Sequence, residues 1–298
     1  MTQPATALPK ASLGEIHALL PSMPVPEPQA GDRVRDSLSG AGRLADLAGW
    51  LVRWRGEQIT GIRHPRIAVF AATHGHVPDS LARTRSQIQG IVDGTTLLNR
   101  LCEGLNTDLR LYEMDLDTPT ADMTTGPAMT EEACARAMAY GMMAVEAGVD
   151  LLCPGSLGIG QETAALAMIE ALGGQDIPDR TVQKALAANP AALQDPFGAL
   201  RCLGGYEIAA MAGAILAARM GRIPVLLDGL ATFSAALVLE KACAGATQHC
   251  RMAQPMAPSL SSLLPMDFVM DAGLADGSGA VAAIPLVRMA AAIVIRAS

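Results

Sequence analysis

The chain has 298 residues, 50% of them hydrophobic, 17% charged and only 3% aromatic, with a formal net charge of -7. It is long and apolar enough for one large core, alone or beside a smaller domain. The acidic balance and the lack of any basic stripe exclude a nucleic-acid footprint, and the scarcity of aromatics excludes a base-stacking single-strand binder. Six cysteines, at positions 102, 134, 153, 202, 243 and 250, never fall into C-x-x-C spacing. They point to neither a zinc knuckle nor a disulfide framework, and a reducing cytoplasm is the expected compartment.

Residues 1–40 are rich in Pro, Ser and Gly around one short helical stretch, LGEIHALL, and predict a wrapping arm rather than a separate domain. GRLADLAGWLVRWRGE carries apolar residues at helical spacing and predicts the first full helix. RIAVFAA is a short continuous apolar run, the pattern of a strand buried on both faces, and it ends in the loop THGHVPDS. DLRLYEMD, VDLLCPG and IPVLLDG predict further strands separated by helix-period segments, which is the rhythm of a parallel sheet. Between them, MTEEACARAMAYGMMAVEAG predicts a helix from Thr130 to Gly148, and GGYEIAAMAGAILAARMG predicts another. CRMAQPMAPSLSSLLPMD is poorly patterned and predicts a loop with short helical turns. The last apolar run, GAVAAIPLVRMAAAIVIRA, contains Pro285 and Arg288 and predicts a buried packing helix, so no membrane partner is expected. The N-terminus MTQPATALPK lacks the apolar centre of a signal peptide.

Open α/β sheets bind ligands beyond the carboxyl ends of their strands, and here three predicted strands end at Asp115, Gly155 and Asp228. PGSLGIGQETAALAMIEAL sets Gly155, Gly158 and Gly160 between a strand and a helix, a phosphate cradle in which backbone N–H groups face an anion. A turn shaped only for close strand–helix packing is the alternative. The spacing matches neither G-x-G-x-x-G nor a Walker loop, which argues against a dinucleotide enzyme or a P-loop NTPase. LGGYEIAAMAG adds Gly204 and Gly205 before another helix, with Glu207 read as a surface residue favoured by the helix dipole. GLADGSGAVAAIPLVRMAA sets Gly277, Ser278 and Gly279 at the entry of the last helix, where backbone can approach a ligand closely. His74 and His76, one residue apart with no nearby Cys, make a poor metal site, and no metal or cofactor is expected. Solvated or hydrogen-bonded loop histidines are the plainer reading.

In order and separation, VDLLCPGSLGIGQETAALA, LGGYEIAAMAGAILAARMGRIPVLLDG and LADGSGAVAAIPLVRMAAA resemble the nicotinate-nucleotide:dimethylbenzimidazole phosphoribosyltransferase family, which makes the lower-ligand nucleotide of cobalamin. The likeness runs collinearly from SGAGRLADLAGWL through FAATHGHVPD and LDTPTADMT to the last helix. It implies an α/β fold, a Rossmann-like parallel sheet flanked by helices, with a smaller helical domain from the N- and C-terminal segments. Residues 1–60 would supply the arm and helices of that small domain, 61–250 the α/β nucleotide-binding core, and 251–298 a loop, the DGSG turn and the closing helix. Also implied are a homodimer and, as small-molecule partners, nicotinate mononucleotide and a benzimidazole-type base. The reaction would give α-ribazole 5'-phosphate and nicotinate.

The family motif L-G-E-G-S-G corresponds to LADGSG, so Asp276 stands where the resemblance implies the general base, one methylene shorter than glutamate. The family motif G-E-M-G-I-G-N-T-T corresponds to GSLGIGQET, with Ser156 at the acidic position and Gln161 and Glu162 replacing Asn and Thr. A carboxylate at 162 repels phosphate unless it points away. The implied substrate-binding set is Gly155, Ser156, Gly158, Gly160, Gly204, Gly205, Asp228, Gly277, Ser278 and Gly279, with a glutamine near the benzimidazole for which Gln87 and Gln89 both qualify. Two readings follow: a transferase using Asp276 as base, or a catalytically impaired homologue that binds a nucleotide or azole as a sensor or partner.

Overall fold

The computed structural model describes residues 12–57, 59–190, 195–264, 266–271, 273–274 and 277–297. Among the described residues, three α-helices precede the sheet: α1 (Leu13–Leu19), α2 (Pro28–Ser37) and α3 (Arg43–Arg55). Strand β1 (Pro65–Ala71) leads through α4 (Ser80–Val92) and α5 (Leu97–Gly104) to β2 (Asp108–Glu113), and α6 (Glu131–Met142) leads to β3 (Leu151–Leu157). Then come α7 (Gln161–Gly173), α8 (Arg180–Ala188), α9 (Pro196–Leu203), α10 (Tyr206–Met220) and β4 (Val225–Leu227). The chain closes with α11 (Leu230–Ala242), β5 (Cys250–Met252), α12 (Pro258–Ser261) and α13 (Ser278–Ala297).

The strands are all parallel, in the order β2-β1-β3-β4-β5. Every residue of β1 is buried, and successive residues divide between two cores, as expected of a strand with helices on both sides. Ile67 and Val69 join Leu151, Cys153 and Leu226 under α3, α5 and α13. Ala68 and Phe70 join Leu152, Val225 and Leu227 under α6, α7, α9, α10 and α11. The expected parallel α/β sheet is therefore present, and helices of the N- and C-terminal segments lie together on one of its faces. Arg288 of α13 donates to the carbonyls of Ile62, Leu105 and Asn106 at 2.5–3.3 Å, which ties the last helix to the sheet layer. Among the described residues, no helix is long and apolar enough to cross a membrane.

The second layer is held by close approach. A Cβ on Gly141 of α6 would collide with the backbone of Ala210 in α10, and one on Gly213 of α10 would collide with the backbone of Met138. Two glycines thus let the helix axes come nearer than side chains normally permit.

Three expectations need correction. The arm contains a second helix, α2, which Pro28 starts and whose Gly31 packs against Gly49 of α3; its polar sequence hides it from an apolar-spacing test. The stretch after residue 250 is not only loop, because β5 extends the sheet to Met252 and pairs with β4. The helix begun at Thr130 stops at Met142 rather than Gly148, where Arg66 takes the Ala144 carbonyl and the Glu146 carboxylate and draws the chain off the helical path.

Candidate active site

In a sheet of order 2-1-3-4-5 the direction of winding reverses between β1 and β3, and a crevice opens beyond their carboxyl ends. A cavity of about 500 Å³ lies there. Val69, Ile91, Leu98 and Leu157 give it apolar walls, and Gln87, Ser156, Gln161 and Ser278 are among its polar groups. Among the described residues, no charged side chain lines it. Three of its lining residues mark helix starts: Thr96 at the N-cap of α5, Gln161 at the first position of α7 and Ser278 at the first position of α13. Helix N-termini carry partial positive charge; Thr96 takes the Asn99 N–H of α5 and Asp228 the Gly279 N–H of α13, whereas α7 has no capping side chain, so an anion is drawn to the start of α7 without a single lysine or arginine.

The glycine turns shape this crevice. Gly158 has no room for a Cβ because the Ala72 carbonyl lies against it. Gly160 caps α7 at φ 103°, and a Cβ there would press on Val77 and on both His76 and His74. α7 has no capping side chain, which leaves its first N–H groups to a ligand. Glu162 is exposed and does not line the cavity, so its charge points away from those amides.

The last turn is fixed by a clamp that the sequence does not reveal. Asp228, at the end of β4, accepts from the Gly279 N–H through Oδ2 at 2.9 Å and from Gln254 Nε2 through Oδ1 at 2.8 Å. Gln254 also donates to the Leu274 carbonyl at 2.7 Å and accepts from the Leu274 N–H at 2.8 Å. One carboxylate and one amide therefore hold both ends of the segment 274–279. Asp228 meets that turn through Oδ2, spends Oδ1 on Gln254, and does not line the cavity. Gly277 rests beside Gly155, with Ile67 packed alongside, so the turn sits against the end of β3. Asp276, the expected base, lies outside the described residues.

Beside the cavity is a buried pair. His74 Nε2 lies 2.9 Å from Glu207 Oε1, with the two residues 1% and 0% exposed. Glu207 is thus no surface residue: the helix start that favours its charge is covered by the loop carrying His74. Its Oε2 has no partner among the described residues. Gly205 lies against the His74 ring and Glu207, whereas Gly204 faces Leu200 and Met168 in the core and not the cavity. Burial, then the neighbouring His74, push the His76 imidazole down to about 4, so it is neutral at pH 7. The two candidate glutamines also separate, since Gln87 lines the cavity while Gln89 donates to Asp93 along exposed α4. Among the described residues, no group of His, Cys, Asp and Glu is arranged to hold a metal ion.

This geometry suits a flat apolar ligand joined to an anion. A family model described as phosphoribosyltransferase matches residues 29–181 and 179–297. Nicotinate-nucleotide--dimethylbenzimidazole phosphoribosyltransferases of Brucella canis and Brucella melitensis biotype 1 are each 35% identical to it, covering 93% of this chain and 92% of their own length. The crystal structure of the enzyme of that name from Thermus thermophilus superposes with a TM-score of 0.81 at 25% identity, over 90% of this chain and 96% of that one. A structure of CobT from the same organism gives 0.79, also at 25% identity and over 90% of this chain and 95% of that one. The chain therefore belongs to the nicotinate-nucleotide–dimethylbenzimidazole phosphoribosyltransferase family.

Proposed function

We propose that the protein transfers the phosphoribosyl group of nicotinate mononucleotide to dimethylbenzimidazole or a related azole, giving α-ribazole 5'-phosphate and nicotinate for cobalamin synthesis. The observation that carries this reading is the apolar crevice at the β1/β3 switch, ringed by three helix N-termini. The 5'-phosphate belongs at the uncapped start of α7, held by backbone N–H groups from Gly158, Gly160 and Gln161. The planar azole belongs between Val69, Ile91, Leu98 and Leu157, with Gln87 and Ser156 in reach of its ring edge. An azole nitrogen attacks the anomeric carbon, the bond to the nicotinate nitrogen breaks, and that nitrogen leaves as a neutral pyridine needing no proton. The configuration inverts from β to α. The proton on the second azole nitrogen passes to a base, the role we assign to Asp276.

Asp228, Gln254, Gly277 and Gly279 act as positioning groups for that base, and the His74–Glu207 pair keeps the β1 loop against the start of α10. Gly155 lets the turn lie close to β3, and Gly205 lets His74 do so at α10. The family relationship supports a homodimer. Six free cysteines, five of them buried, support a reducing cytoplasmic setting.

The test is an endpoint assay by mass spectrometry with nicotinate mononucleotide and dimethylbenzimidazole, reading nicotinate and α-ribazole phosphate together. Equal amounts of both are expected, with a loss of roughly 100- to 10,000-fold in Asp276→Ala. One observation favours a second reading: Ser156 puts a hydroxyl in the crevice where the family carries a carboxylate. If the protein yields no product yet is stabilised against heat by the nucleotide, and stays so in Asp276→Ala, it is a binding homologue.

A further inference from the structure

A second cavity, of about 580 Å³, shares no residue with the first. It lies between the end of α3, the turn 245–248 and β5, the sheet edge away from the β1/β3 crevice. Trp50 and Trp54 line it with Pro26, Pro28, Leu264 and Met266, and Arg53 and Arg251 supply positive charge.

Two of its acceptors, the Glu240 carboxylate and the Gln248 carbonyl, are occupied. Glu240 takes the Gly245 N–H on Oε1 and both the N–H and hydroxyl of Thr247 on Oε2, at 2.6–3.0 Å. The Gln248 carbonyl takes Trp54 Nε1 at 3.2 Å. Its donors are not all satisfied. Trp50 is 2% exposed, and its indole N–H has no acceptor among the described residues. The carboxylate paired with the Arg251 guanidinium is Asp267, whose Oδ2 stands 3.9 Å from Nε, at the limit of ion pairing. Behind Trp54, the Arg219 guanidinium lies 4.1 Å from the ring centre, with Nε and one terminal nitrogen unpartnered among the described residues. Burial depresses the pKa of both Arg219 and Arg251, as expected of cations with too little counter-charge. A buried donor without acceptor, and over the same indole ring a half-buried cation whose Nη1 donates to the Cys250 carbonyl at 3.2 Å but whose nearest ion-paired carboxylate stands at 3.9 Å, call for the same thing, a ligand that only accepts.

We propose that this cavity is a binding site for a small organic oxyanion, a carboxylate or phosphate head on a flat apolar body. The head would sit between Arg251 and the Trp50 N–H, and the body against the apolar wall of Pro26, Pro28 and Met266. Arg53 adds field, although Asp32 already holds one of its terminal nitrogens at 2.5 Å.

Isothermal titration with benzoate and with phenyl phosphate tests the proposal in the full-length protein. At least one should bind, and Arg251→Met should weaken it about tenfold or more, with Arg251→Lys intermediate, because one charged hydrogen bond is lost. Trp50→Phe keeps an aromatic ring and removes the N–H, so it should weaken binding less, and circular dichroism checks that each variant is folded. Ser156→Ala, in the other cavity, should leave this binding unchanged. The better of the two probes identifies the head group. Absence of binding by both, equal binding in folded Arg251→Met, or loss of binding in Ser156→Ala would each overturn the proposal. Because no turnover is read, the result is independent of whether the transferase reading holds.

Discussion

The helix pair α6–α10 and the turn 274–279 are both held tightly, but by opposite means. The helices are locked by shape, with backbone against backbone at Gly141 and Gly213 and no polar side chain involved in either contact. The turn is locked by polar bonds from two side chains, Asp228 and Gln254, that reach across from the ends of β4 and β5. Shape tolerates no added atom, whereas a hydrogen-bonded clamp can be adjusted one bond at a time. Rigid packing joins two helices on one side of the sheet, and the adjustable hold sits where a catalytic carboxylate is expected.

Substitutions can break this contrast. Gly213→Val drives a branched side chain into the Met138 backbone and should cost roughly 3 kcal/mol or more, seen as a large drop in urea midpoint or as insoluble protein. A near-neutral result would mean that α6 and α10 slide freely. Asp228→Ala removes the bonds to Gly279 and Gln254. It should leave a folded protein, destabilised by about 1–3 kcal/mol, with kcat lower on the order of 100-fold because the base is displaced. Unchanged kcat with lower stability would demote the clamp to a structural role.

Acid sensitivity sharpens the same picture from the buried polar groups. His249 is wholly buried, with Nε2 3.0 Å from the Ile215 carbonyl, and burial together with Arg219 pushes its imidazole down to about 3 from 6.5. It is neutral in the fold, so the unfolded chain binds the proton first. Its contribution is complete above pH 6.5 and is lost as pH falls toward 3, at up to about 1.4 kcal/mol per pH unit. Urea midpoints taken from pH 7 to pH 4 should fall accordingly, and His249→Gln should flatten the slope. The smallest effect expected is Gln87→Ala, raising the KM for the azole by about tenfold at most through one lost hydrogen bond. Gln89→Ala, a change on exposed α4, should leave KM where it was.

Much of this architecture was legible in the chain. β1, β3 and β4 announce themselves as continuous apolar runs because helices bury both of their faces. β5 does not, since three residues carry no period and its place comes from pairing with β4 and a bridge from Met252 to Phe268. α2 escapes because its stability comes from contact with α3 and from ion pairs such as Asp32 with Arg53. At the site, glycine turns and Ser278 are readable because each needs only its own neighbours. Gln254 and the His74–Glu207 pair are not, because their meaning lies in partners far along the chain.

The pairing of α3 with α13 has a consequence in time. One face of the sheet is covered by helices far apart along the chain, so the core in which Trp50 and Leu51 meet Ile284 and Val287 stays incomplete until α13 has been made. Closing so long a loop is slow, and the sheet face stays wet until it closes. The turn that completes the crevice is the entry to α13 itself. On a ribosome, the crevice would therefore come into existence only after every strand of the sheet has been made, and a nascent chain stalled before residue 278 would show the sheet without the crevice.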